Sequence, residues 1–395
     1  MHLLHILPRL PAPPNDGGAV YIYNMLRELH KLGHDLTFVS LISNKHEQSA
    51  EMMSELGTLY AEDGKFKPYS AFSAIKSTLT RQPVTVQHRM KADIMHDLLQ
   101  KVSEKPDAIL IEGLHAACFI DQLRAKFPDT PIVLRQVNVE HLVFERNAAH
   151  VQNPLKKWLL KDQSRLMKKF EIRKMKEADY VTAISQNDID SYRKYLPEKD
   201  FFLNTAGAHL KPEPSEARDA SMILAVSNWK WQPNIDGLNW FLKRVWPDIE
   251  KEHPQLELHI AGEGLTDTFK QKFASDNIHY LGFVDDIDSL RLKASVFIAP
   301  LLSGSGMKLK ILEALAAGLP TVTTSFGVEG ILMDDGVHYL HAETADEFKS
   351  KVDLLIKNKS LRQSLSENGR KLIQNKYTWE QKASELSDFL DSIAG

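Results

Sequence analysis

The chain has 395 residues, of which 43% are hydrophobic, enough for two α/β domains with full cores. A formal charge of −3 excludes the polycation that a nucleic-acid partner requires. A single cysteine, Cys118, excludes an internal disulfide, and no run of about 18 apolar residues offers a membrane span.

At the N-terminus "HLLHILPRLPAPP" lacks the basic start, long apolar stretch and cleavage site of a signal peptide, so a cytoplasmic protein is expected. "LLHIL" predicts a first buried strand, followed by a Pro/Gly loop, a helix through "AVYIYNMLRELHKLG" and a strand at "DLTFVSL". Met52 to Lys76 gives no clear pattern. Further strands are predicted at "DAILIEG", "PIVLRQV" and "YVTAIS". Between the last two, residues 154–176 read as a helix with nine basic residues against two acidic ones, either a solvated face or a contact for an anionic membrane. "LKPEPSEARD", Leu210 to Asp219, reads as a linker. After it, "MILAVS", "LELHIAG", "IHYLG", "SVFIAP", "TVTT" and "VHYLHA" form a second series of strands with helices between most of them.

This alternation predicts two Rossmann-like, doubly wound α/β domains facing a central cleft. Their expected bounds are 1–210 and 211–378, with 379–395 a helix crossing back to the first domain. Ligands of such sheets meet loops at the carboxyl ends of strands, which nominates residues without any motif. In the first domain these are Gly17 and Gly18 at a helix start, Glu112 and His115, and Asn138, Glu140 and His141. In the second they are Asn228, Trp229 and Lys230 after the first strand, with Trp229 either a core aromatic or a platform for sugar stacking. After the fourth strand, "LLSGSGMKLKILEALAAGLPTV" places Gly304, Ser305, Gly306 and Met307 before a helix that opens at Lys308 and Leu309 and stops at Gly318 and Pro320. Backbone N–H groups at such a helix start, with Lys308 and Lys310 beside them, suit an anion. The same glycines also suit a plain tight turn. No Asp-x-Asp or His-x-x-x-His pair lies in these loops, so no metal is expected there.

Four stretches, "LPRLPAPPNDGGAVYIYNMLRELHKLGHDLTFVSL", "LRQVNVEHLVFER", "VSNWKWQPNIDGLNWF" and "APLLSGSGMKLKILEALAAGLPTVTT", carry a resemblance that spans nearly the whole chain. In order and spacing they resemble the retaining glycosyltransferases of family 4, which have the GT-B fold. The resemblance implies an acceptor-binding first domain and a second domain that binds a nucleoside-diphosphate sugar of UDP or GDP type. It implies transfer of a hexose or related sugar to a hydroxyl of a glycan, glycolipid or other acceptor, by a metal-independent, front-face route and with no further cofactor. Glu313 matches the second of the family's two spaced glutamates, the one that holds the donor ribose, whereas Ser305 stands in place of the first.

Two further departures concern charge. Asn228 and Pro233 or Asn234 stand near the arginine and lysine that usually grip the diphosphate. Lys308, helped by Lys310 or Lys230, is therefore expected to supply the missing cation. Val137 replaces a histidine, for which His141 or His115 would compensate, and Glu140 or His141 would orient the acceptor. Alternatives to a transferase are a non-catalytic GT-B protein that binds nucleotide sugars or glycans, and a GT-B epimerase or hydrolase. The basic helix at 154–176 would place the enzyme on the inner face of a membrane that carries a lipid-linked acceptor.

Overall fold

The computed structural model describes residues 1–42, 49–66, 71–89, 91–213, 218–304 and 306–394. It divides into two compact units, Met1–Thr205 with Lys382–Gly395, and Ala206–Gln381. The first boundary thus falls between Thr205 and Ala206. The segment read as a linker after Leu210 packs on the second unit, where the Lys211 N–H donates to the Ala316 carbonyl at 3.3 Å. Residues 214–217 of that stretch lie outside the described residues.

The first unit is built on strands β1 (His2–Leu7), β2 (Asp35–Ile42), β3 (Thr58–Asp63), β4 (Ala108–Glu112), β5 (Ile132–Gln136), β6 (Tyr180–Ala183) and β7 (Phe201–Leu203). They pair in parallel in the order β3-β2-β1-β4-β5-β6-β7. Every residue of β4 and β5 is buried, which is why these strands read as unbroken apolar runs rather than alternating ones. β3, on the sheet edge, is partly exposed along its length, and β7 has three residues. Neither leaves a sequence signal.

Deep in this unit a polar network replaces apolar packing. Arg135 donates to Glu112 at 2.6 Å and to the Tyr21 hydroxyl at 2.9 Å, and His5 meets Glu112 at 3.0 Å. Tyr21 donates to the Asn204 carbonyl at 3.1 Å, and Asn204 donates to the Lys382 carbonyl of the last helix, Trp379–Ile393. Burial alone would raise the Glu112 carboxyl, but Arg135 and His5 hold it below its usual range. Burial also keeps His5 below its ordinary value. Glu112 is therefore a structural counter-ion and not an open cleft residue.

The second unit carries β8 (Asp219–Val226), β9 (Glu257–Ala261), β10 (Ile278–Gly282), β11 (Ala294–Ala299), β12 (Thr321–Thr323) and β13 (Leu340–His341), parallel in the order β10-β9-β8-β11-β12-β13. The chain order reverses between β8 and β11, which pair directly. The loops after these two strands, "VSNWKWQPN" and "LLSGSGMK", are thereby brought side by side at the carboxyl edge of the sheet, the position where open α/β sheets take ligands. Among the described residues no helix is long and apolar enough to cross a membrane.

Candidate active site

Two helices of the second unit begin at this edge, Gln232–Arg244 and Leu309–Ala316. Neither has a side-chain cap or an acidic residue in its first turn, so their leading N–H groups and the positive ends of their dipoles are not answered by the protein's own anions there. Lys310, in the first turn of the second helix, reaches across to the first. Its ammonium donates to Asn234 Oδ1 at 2.9 Å and to Ser227 Oγ at 3.0 Å. Asn234 in turn donates to the Asn228 carbonyl at 2.8 Å. Both acceptors of Lys310 are neutral, and among the described residues no carboxylate pairs with it. Loss of water, with Lys308 adding repulsion, lowers its pKa from 10.5 to about 7.

The other two lysines carry counter-ions. Lys308 donates to the Gly306 carbonyl and stands 3.5 Å from Glu329, while Lys230 pairs with Glu263 at 2.6 Å. Lys310, and not Lys308, is thus the cation left in need of an anion. Gly304 lies against Lys308, with room for a Cβ only at 3.4 Å from Lys308 Cε. Ser305 lies outside the described residues. The Met307 side chain points inward and its sulfur accepts the Ala206 N–H at 3.4 Å, so this residue anchors the turn and presents no side chain to a ligand. Leu309 opens the helix and is half-buried. One turn later Glu313 pairs with Arg291, which also holds Asp288 at 2.7 Å, fixing the carboxylate in place.

A pocket of about 320 Å³ adjoins this edge, lined by Lys230, Ile260, Gly262, Glu263, Gly264 and Tyr280 among others. Its floor depends on two glycines with positive φ, Gly262 at 117° and Gly264 at 111°. A methyl group on Gly262 would overlap the Ser227 carbonyl, and one on Gly264 would overlap the Lys230 backbone. Trp229 is not in the pocket. It is 3% exposed, belongs to the core, and its indole N–H donates to the Ala261 carbonyl at 2.9 Å. Its ring is taken up by apolar packing and so offers no face for a sugar to stack on. A second, open depression, lined by Leu354, Lys357, Asn358, Lys359, Ser360 and Gln363, lies on other elements, away from the carboxyl edge of the sheet.

In the first unit, Gly17 and Gly18 do open a helix, Gly17–Lys31, but Asp16 caps it by accepting the Ala19 N–H at 3.0 Å and is itself paired with Arg9. That terminus already carries its own anion, so a phosphate would meet repulsion there. His115 sits half-buried in a short helical turn, Leu114–Phe119. Of the other three candidates, Glu140 and His141 meet at one residue absent from the sequence-based set, Glu171, and Asn138 joins them through Tyr192. The Glu171 carboxylate accepts the Glu140 N–H at 3.0 Å, faces His141 Nδ1 at 2.5 Å and accepts the Tyr192 hydroxyl at 2.8 Å. Tyr192 also donates to the Asn138 carbonyl. His141 is 4% exposed, so within its unit it serves first as part of this clamp between the helices Glu140–His150 and Pro154–Glu177.

Residues 220–358 match the family of glycosyl transferases group 1. Along 93% of the chain and 94% of its own length, an uncharacterized 44.6 kDa protein in the cps region of Klebsiella pneumoniae is 24% identical. Among solved structures, sucrose-phosphate synthase from Thermosynechococcus elongatus superposes with a TM-score of 0.75 at 16% identity, covering 100% of this chain and 99% of its own. HepE of Anabaena, solved with UDP and glucose, gives 0.67 at 13% identity, covering 99% of this chain and 100% of its own. The fold class is therefore that of two Rossmann-like α/β domains with GT-B neighbours, and residues 220–358 of the second unit are similar to the glycosyl transferases group 1 family.

Proposed function

We propose that the chain is a glycosyltransferase that takes a nucleoside-diphosphate sugar, of UDP type, at the carboxyl edge of the second unit's sheet. The observation that carries the reading is Lys310, a cation between two uncapped helix starts with neutral partners only. A diphosphate would supply its counter-charge. The adjoining pocket of about 320 Å³ is wide enough for the nucleoside, and the solved complex of HepE with UDP supports the choice of nucleotide.

The residue types fit the chemistry. As the bond from sugar to diphosphate stretches, negative charge gathers on the leaving phosphate, and Lys310 with the N–H groups of both helix starts would hold it. In the front-face route implied by the family resemblance, a departing phosphate oxygen accepts the acceptor hydroxyl's proton and the configuration is retained. Glu313, fixed by Arg291, would accept hydrogen bonds from the ribose. Glu313→Gln keeps a partner for Arg291 while removing the charged acceptor, so UDP affinity should fall about 10- to 100-fold. Titration calorimetry with UDP checks this, and unchanged affinity would refute the assignment of the ribose site.

The basic helix Pro154–Glu177 supports a lipid-borne acceptor. Lys161, Arg165, Lys169, Arg173 and Lys176 are exposed at helical spacing, and Trp158 and Leu155 are 55% and 66% exposed at its start. Lys174 is the exception, buried and paired with Glu177. Trp158→Ala is expected to weaken co-sedimentation with vesicles containing phosphatidylglycerol roughly tenfold, and salt should weaken it further. Equal sedimentation of both proteins would remove the membrane contact.

A further inference from the structure

β9 and β10 put Leu258, Ile260, Ile278 and Tyr280 toward the apolar core of the second unit. Strand alternation sends Glu257, His259 and His279 to the opposite face. His259 and His279 are direct partners in the parallel register, and Glu257 lies two residues before His259 on the same side. Their rings stand 4.7 Å apart, and both Nε2 atoms converge on one carboxylate oxygen, Glu257 Oε2, at 2.9 Å from His259 and 3.6 Å from His279. All three ligand atoms lie within 4.8 Å of one another. His279 Nε2 is shielded from water and makes no hydrogen bond.

We propose that Glu257, His259 and His279 bind a zinc ion on this face of the sheet. A tetrahedral zinc with nitrogen and oxygen ligands at about 2.0–2.2 Å needs ligand atoms about 3.4 Å apart, and the two measured pairs bracket that spacing. Two imidazoles and one carboxylate are a borderline donor set that favours zinc over magnesium or calcium, and the partial exposure of all three residues leaves the fourth position to water. The site lies across the sheet from Ile260 and Tyr280, which line the proposed nucleoside pocket, so it is separate from the transferase chemistry. Its consequence is to tie the edge strand β10 to β9 by a metal bridge.

The test is zinc titration of the full chain, stripped of metal, against a chromophoric chelator. One equivalent should bind, and His259→Gln and His279→Gln should each weaken it at least tenfold. His253→Gln, which removes the histidine of a different cluster already paired with Asp353, should leave that affinity unchanged. The zinc-free melting temperature reports whether each variant folds, and Glu257→Gln gives a third route if a histidine variant does not. UDP affinity should be unaffected in all of them. No stoichiometric uptake, or the parent's affinity retained in the folded Glu257, His259 and His279 variants, would overturn the site.

Discussion

Lys310→Met should make the ligand-free protein more stable at neutral pH and at the same time abolish its response to UDP. Holding an ammonium whose pKa has dropped from 10.5 to about 7 in its charged form costs on the order of 3–5 kcal/mol, and a methionine of similar length avoids that cost. The sign with pH follows. Above about pH 7 the folded protein has released the proton while the unfolded chain keeps it to 10.5, so this residue's contribution makes stability rise with pH across that window; in the variant this rise is missing. Ligand binding should run the other way. A diphosphate restores the charge, so binding takes up a proton and UDP affinity of the parent should fall, by up to tenfold per pH unit, from pH 7 upward. Thermal unfolding with and without UDP at pH 6, 7.5 and 9 reads both effects. A variant that is no more stable yet still binds UDP would show that the diphosphate lies elsewhere.

The second large effect is expected from Glu112→Gln. Arg135 and Glu112 are both fully buried, so removing the carboxylate's charge strands a guanidinium in the core. Breaking such a pair typically costs about 3–5 kcal/mol. Hydrogen exchange at β4 and β5 amides should speed up accordingly, whereas a loss below about 1 kcal/mol would mean that water reaches Arg135. In the parent, acid should destabilise this unit in two stages of the same sign. Below about pH 6.5 the unfolded chain protonates His5 while the folded one keeps it neutral. Below the ordinary glutamate value of 4.5 the unfolded chain protonates Glu112 while the folded one keeps it charged.

Central strands were legible because they are buried on both faces, as at "ILIE" in β4 and "SVFIA" in β11, where sequence and burial carry the same message. The edge strand β3 was not, since its partial exposure erases periodicity. In the site, the glycine turn, its helix and the basic residues were readable locally. What sequence cannot give is which lysine finds an acid. Glu329 and Glu263 lie 21 and 33 residues from their partners, and Lys310 reaches residues 76 and 83 positions away. Only the fold reveals that, among the described residues, Lys310 is the one of the three that no carboxylate meets. Trp229 failed for a related reason. An aromatic after a strand end suits either the core or the cleft, and here Gly262 opens a space beside the sheet into which the indole turns, only 3.1 Å from where a Cβ would stand.

The Glu171 carboxylate gathers the start of one helix, a histidine and a tyrosine onto the middle of the basic helix, and Ser164 of that same helix donates to the His141 carbonyl at 2.9 Å. Such a knot leaves little independent play. If the proposed membrane contact forms, any tilt or pull on the basic stripe would be passed like a lever to the imidazole of His141, so lipid composition would register in the packing of this unit's interior.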